Sequence, residues 1–166
     1  MDAQIEALVQ QLVAEMGSRL TAVYLFGSYT QPYFQPGESD VNLLFVLADD
    51  ADVQTLRETF LPLWSQHSGW LRRGPWAASV GALERFRHLN PGFAHHLARD
   101  GRLLHASPAF EPGPLPILDA HETYGRLVTQ ALSAANALLP ELLEPDTAAL
   151  RHAALRRLAR QLWRKP

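Results

Sequence analysis

The chain contains no cysteine and a single lysine, Lys165, at its extreme end. The first absence removes disulfides, iron–sulfur clusters and thiol chemistry, and fits a reducing compartment. The second excludes a P-loop lysine or a Schiff-base lysine inside the fold. No apolar run reaches the roughly 18 residues that a membrane span needs. The opening residues, Met1-Asp2-Ala3-Gln4-Ile5-Glu6, are acidic and amphipathic, unlike a signal peptide. A cytoplasmic protein with no membrane partner is the expectation. Three motifs are also missing: the Gly-x-Gly-x-x-Gly fingerprint, the Gly-x-Ser-x-Gly elbow and the His-Glu-x-x-His zinc helix. Dinucleotide chemistry of the Rossmann type, serine hydrolysis and zinc proteolysis therefore have no support here.

What is present is enough for a sizeable core: 47% of the 166 residues are hydrophobic, which suits one domain with room for a helical appendage. The net charge of −2 is too balanced to mark a nucleic-acid binder, but the charge is uneven. Residues 1–58 hold nine acids against Arg19 and Arg57, whereas residues 148–166 hold Arg151, Arg156, Arg157, Arg160, Arg164 and Lys165 with no acid. That basic stretch reads as a solvated helix face beside an acidic neighbour, with a contact to RNA or a nucleotide tail as the alternative. The excess of arginine over lysine points to a GC-rich, bacterial genome.

Hydrophobic spacing orders the chain. Ile5, Leu8, Val9, Leu12, Val13 and Met16 make an amphipathic helix that Gly17 ends. Leu20–Phe26 reads as a strand stopped by Gly27-Ser28, a pair that opens a backbone-rich turn able to take a phosphate. Val41–Leu47 is almost wholly apolar, as a strand covered on both faces is. Asp40 and Asn42, two apart, are expected to point the same way. Between the two strands, Pro32, Pro36 and Gly37 make a loop in which Tyr29, Tyr33 and Phe34 either pack over the turn or offer a stacking face. Asp49, Asp50 and Asp52 are placed to cap the next helix, with Val53, Leu56, Phe60, Leu63 and Trp64 as its buried face and Pro62 as a kink or early end. After Gly74-Pro75, the segment from Trp76 to Val80 reads as a third core strand, followed by a helix over Leu83–Leu89 that carries Glu84. Asn90-Pro91-Gly92 marks a turn, Phe93–Arg99 a short helix, and Arg102–His105 an edge strand. His95 and His96 tempt a metal reading, but neighbours on a helix point about 100° apart and do not share an ion comfortably.

Pro108, Pro112, Gly113, Pro114 and Pro116 form a linker, taken as residues 108–118. Beyond it Asp119 and Glu122 start one helix of capping-box type and Pro145-Asp146 starts another, so 119–166 reads as a helical hairpin. Its apolar stripes need a partner: the preceding domain, a helical protein, or a second copy.

The Phe26-Gly27-Ser28 turn, ten intervening residues, and Ser39-Asp40-Val41-Asn42-Leu43 resemble the nucleotidyltransferase superfamily of DNA polymerase beta and the minimal nucleotidyltransferases. The resemblance implies an α/β (α+β) core over residues 1–107, a short mixed sheet flanked by helices, followed by the C-terminal helical hairpin. It implies that Gly27 and Ser28 hold a nucleoside triphosphate. It implies that Asp40 and the residue at 42, with a third carboxylate from a later strand, hold two magnesium ions (Mg2+). A hard cation wants carboxylate oxygens, and two cations clamp the attacking and leaving oxygens. Here Asn42 stands where the family has its second aspartate, and Ala77, Ala78 and Ser79 stand where the third is sought. Asp40 and Asn42 are thus the candidate catalytic and metal residues of a degenerate site. Three readings follow. The chain binds a nucleotide or phosphate with weak or no transfer; it is an active transferase modifying a small molecule, protein or RNA; or it associates with a partner or itself through residues 119–166.

Overall fold

The computed structural model describes residues 1–51, 53–71, 74–117, 119 and 121. The chain divides into two compact units, Met1–Pro116 and Ile117–Pro166. Apart from Asp119 and His121, the hairpin expected over 119–166 and its basic stretch lie outside the described residues.

Within the first unit, helix α1 (Asp2–Met16) leads into strand β1 (Leu20–Phe26), and a single 3₁₀ turn over Gly27–Thr30 follows. Strand β2 (Asn42–Leu47), helix α2 (Val53–His67) and strand β3 (Trp76–Ser79) come next, then helices α3 (Val80–Leu89) and α4 (Pro91–Asp100) and strand β4 (Arg102–Ala106). The strands form one sheet in the order β3-β2-β1-β4. β1 runs antiparallel to both β2 and β4, and β2 runs parallel to β3, so the sheet is mixed and the fold is α+β, as the resemblance implied.

Helices on both faces explain why β1 and β2 are so apolar. On one face Leu25, Leu43, Phe45 and Leu47 pack with Ile5, Leu8 and Leu12 of α1 and with Leu56, Phe60 and Leu63 of α2. On the other, Ala22, Tyr24, Phe26, Leu44 and Val46 pack with Leu83 of α3 and Leu97 of α4. Phe45 is fully buried, with its ring 5.2 Å from Phe60. A register shift between Leu20 and Ala22 keeps Leu20 and Val23 in the same core layer although they are three residues apart.

Several local expectations change. β3 forms where the third core strand is expected, over Trp76–Ser79, but at an edge of the sheet, with Trp76 and Ala77 exposed. Asp49 does not cap α2: its carboxylate accepts from the Gly81 N–H at 2.9 Å, at the start of α3. That bond, and after it one from the Ser79 hydroxyl, holds the Asp49 carboxyl below the usual carboxylate range. α2 continues through Pro62 to His67 rather than stopping early. Asn90-Pro91 is not a free turn but the cap and first residue of α4, with the Asn90 side chain accepting from the Phe93 N–H.

The proline-rich segment is pinned to the first unit. Arg87, only 6% exposed, donates to Glu84 at 2.6 Å and to the carbonyls of Gly113 at 2.7 Å and Pro114 at 3.3 Å. Phe110 packs edge-on against Tyr24, and the His95 ring nitrogen lies 2.9 Å from the Pro116 carbonyl. No helix among the described residues is long and apolar enough to cross a membrane.

Candidate functional site

The turn that ends β1 is shaped by one glycine. Gly27 has φ +82°, a conformation that L side chains rarely adopt, and a β-carbon there would lie 2.6 Å from Nδ2 of Asn42. The register explains the contact: Asn42 opens β2 directly opposite Phe26, the residue before the glycine. The Asn42 amide therefore lies over the turn backbone, in space that only a residue without a side chain leaves open.

Ser28 is buried, and its hydroxyl donates to the main-chain carbonyl of Asp40 at 3.3 Å. It stitches the turn to the loop that returns to β2. Thr30 closes the turn by donating to the Gly27 carbonyl at 2.9 Å. Tyr29 anchors it from outside, donating to Asp2 at the start of α1 and meeting the Phe34 ring edge-on at 4.6 Å. Of the loop aromatics, Tyr29 and Phe34 pack together over the turn, while Tyr33 stays exposed.

The four residues singled out from the sequence thus meet at one end of the sheet: Gly27 against Asn42, and Ser28 against the Asp40 backbone. One detail differs. The strand begins at Asn42 rather than Val41, so Asp40 belongs to the loop and strand alternation does not fix its direction.

The neighbouring strand decides what else can join them. Asn42, Leu44 and Val46 share a face, and in the parallel register Trp76 pairs with Leu44 and Ala78 with Val46. The β3 residue nearest to Asn42 on its own face is Trp76, not an acid. Glu84 points elsewhere, paired with Arg87. Among the described residues no three His, Cys, Asp or Glu side chains gather as a metal-ligand set. The two histidines of α4 are engaged separately, His95 at Pro116 and His96 through Nδ1 to Asp100 at 2.8 Å. Asp100 also accepts from Arg99, which is the main reason its carboxyl is held low, and from Gln31 just beyond the turn.

An aromatic cluster not expected from the sequence adjoins the turn. Trp76 stacks on Phe93 at 5.5 Å and meets Phe26 edge-on at 5.3 Å, and Phe86 closes the group 5.2 Å from Phe93. Its members come from β1, β3, α3 and α4, so no single window of sequence displays it. The only linear hint is the run of small neutral residues after Trp76, which leaves the indole as the one bulky side chain on that strand. Of the concavities lined by described residues, one of about 440 Å³ lies between α1 and β4, at Glu6, Val9, Gln10 and Arg102. Another of about 260 Å³ lies under Phe110 and Arg87. Neither of these includes the turn, where Gly27 and Ser28 are buried.

No protein-family model matches the chain, and no curated protein does. Among solved structures it is similar to one chain of a toxin–antitoxin crystallised with AMP-PNP, at 19% identity over 84% of this chain and 98% of that one, TM-score 0.42. It is similar to a chain of the complex of tri-AMPylated Shewanella oneidensis HEPN toxin with MNT antitoxin, at 17% identity over 87% and 100%, TM-score 0.40. It is also similar to a Sulfolobus solfataricus protein provisionally described as a nucleotidyltransferase, at 20% identity over 65% and 87%, TM-score 0.36. In fold, the described core is α+β, with the Gly-Ser turn and the Asp-x-Asn strand start brought together at one end of a four-stranded mixed sheet.

Proposed function

We propose that the protein binds the phosphate of a nucleotide at the Gly27–Ser28 turn without a paired-metal clamp, and that nucleotidyl transfer is weak or absent. The observation that carries this reading is the register of β3, which sets Trp76 and Ala78, and no carboxylate, on the face that Asn42 shares. Asp40 is then the one anionic ligand that the sequence motif leaves at the turn. Two divalent ions repel each other, and one carboxylate with one neutral amide does not offset that repulsion. The residues present do not fit a pair of magnesium ions, and no step of the function is routed through them.

The same substitution has a second consequence. An aspartate at position 42 would repel a phosphate unless a cation lay between them, whereas an amide carries two N–H donors that bond phosphate oxygen directly. Asn42, already lying over the turn backbone, replaces a metal-mediated contact with a direct one. Ser28 acts on the turn's shape, through its bond to the Asp40 carbonyl.

Calorimetric titration with ATP, with and without magnesium, tests the reading. The expected result is weak binding that magnesium does not strengthen, reduced in Ser28→Ala, with no incorporation of labelled nucleotide into acceptor. Asn42→Asp alone is expected to weaken binding in the absence of magnesium and to create no transfer activity. Tight magnesium-dependent binding with turnover by the unaltered protein would overturn the proposal in favour of an active transferase. Association through residues 119–166, with a helical partner or a second copy, is compatible with nucleotide binding and is read separately, from the concentration dependence of molecular mass.

A further inference from the structure

The indole of Trp76 is half exposed, at 49%, although three aromatic rings hold it. Such exposure is not forced by crowding. The ring lies nearly parallel to Phe93, with 19° between their planes, and Phe26 and Phe86 brace its edges at 66° and 84°. A ring fixed on three sides has little conformational freedom left to lose when something stacks on it. Its place on the sheet matters as much. Trp76 touches Phe26, the residue before Gly27, and shares a face with Asn42 across one strand spacing and two residues of rise, about 8 Å between α-carbons. The residues beside it on β3, Ala77, Ala78 and Ser79, bear no charge.

We infer that Trp76, backed by Phe93, is the stacking surface for the base of a nucleotide whose phosphate lies on the Gly27–Ser28 turn. The inference rests on the phosphate reading of that turn and adds to it the part of the ligand that would otherwise be unrecognised. In the paired-metal arrangement a carboxylate from the neighbouring strand adds charge; here the nearest same-face residue adds an aromatic plane. Binding energy moves from the triphosphate to the base, so a nucleoside monophosphate is the ligand class favoured over a metal-bound triphosphate. Stacking accepts any base, because every base presents a π-face, so purines bind better than pyrimidines through their larger area and without hydrogen-bond discrimination.

Calorimetry on the full chain with adenosine, AMP and inorganic tripolyphosphate tests this, using the unaltered protein, Trp76→Ala and Trp76→Phe. Trp76→Ala is expected to weaken AMP and adenosine by about 5- to 160-fold, the range measured for loss of one stacked base. Tripolyphosphate affinity should stay unchanged, which also shows that the variant is folded at the turn. Trp76→Phe should retain most of the AMP affinity. Equal losses for AMP and tripolyphosphate would overturn the inference, because Trp76 would then only support the turn. Unchanged AMP affinity in Trp76→Ala would overturn it while leaving the phosphate reading intact. Adenosine binding that depends on Trp76, with no gain from adding phosphate, would instead refute the phosphate reading and keep the stacking surface. Self-association that disappears in Trp76→Ala, with AMP affinity unmoved, would assign the surface to a second copy and overturn the inference.

Discussion

Replacing Gly27 by alanine puts a methyl group where the Asn42 amide now lies, and the cost has two separable parts. The φ of +82° is outside the range an L-residue adopts easily, worth about 1–2 kcal/mol for a non-glycine residue. The new β-carbon would also stand 2.6 Å from Asn42 Nδ2, the end of a side chain that can swing aside. Moving it off its rotamer costs about 0.5–1.5 kcal/mol. The sum, about 1.5–3.5 kcal/mol, corresponds to roughly 3–14 °C in melting temperature for a chain of this length. A double-mutant cycle separates the parts. Asn42→Ala removes the obstructing amide, so Gly27→Ala in that background should cost only the backbone term and the double variant should be more stable than the sum of the singles by about 0.5–1.5 kcal/mol. Thermal denaturation of the four proteins measures this. Strict additivity would mean that the amide does not occupy the space over the turn. An unchanged melting temperature for Gly27→Ala would mean that the left-handed turn does not exist, and the phosphate site would go with it.

Asn42→Ala is expected to weaken AMP binding about tenfold, the loss of one hydrogen bond to a charged oxygen, and calorimetry reads it. Arg87→Ala leaves Glu84 and the Gly113 and Pro114 carbonyls without their donor; it should cost about 3 kcal/mol in urea denaturation and speed proteolysis within residues 107–116. Phe45→Ala, in the fully buried layer against Phe60, should cost about 3–5 kcal/mol by the same measurement. For acid stability the sign is set by depressed carboxyls: Asp49, held low mainly by the Gly81 N–H, and Asp100, held low mainly by Arg99. Their contribution is fully present above the unfolded carboxylate pKa of about 3.9 and is lost as pH falls through the lower folded values. The Asp49→Asn, Asp100→Asn double variant should therefore lose less stability than the unaltered protein between neutral pH and strong acid, and parallel acid limbs would refute that.

Local pattern reached far into this fold. β1 was legible residue for residue because Leu20–Phe26 is apolar but for Thr21 and stops at Gly27-Ser28, and α1 because its stripe repeats for about three turns. What sequence could not display was which distant groups those elements meet. Asp49 looked like a cap for the helix that follows it, since dipole logic is local; its partner is Gly81, which becomes adjacent only once β3 lies parallel to β2. The proline-rich segment read as a spacer because proline cannot join a ladder, yet its free carbonyls are what Arg87 binds. At the candidate site, Gly27, Ser28, Asp40 and Asn42 were all visible as a motif. Trp76 was not: its contacts with Phe26 and Phe93 depend on strand register and on the path of α4, and neither follows from periodicity.

Charge and shape at the turn are consistent with each other in a way that neither shows alone. On the proposed reading the turn is met by two groups that need no cation: an amide, which donates to phosphate by itself, and an indole, which holds a neutral base. An aspartate at 42 would instead face the phosphate with nothing between them. An ion added to a phosphate bound here competes with the Asn42 N–H groups for the same oxygens. Magnesium should therefore leave AMP affinity unchanged or lower it, and a rise in affinity with magnesium would show that Asp40 recruits an ion after all.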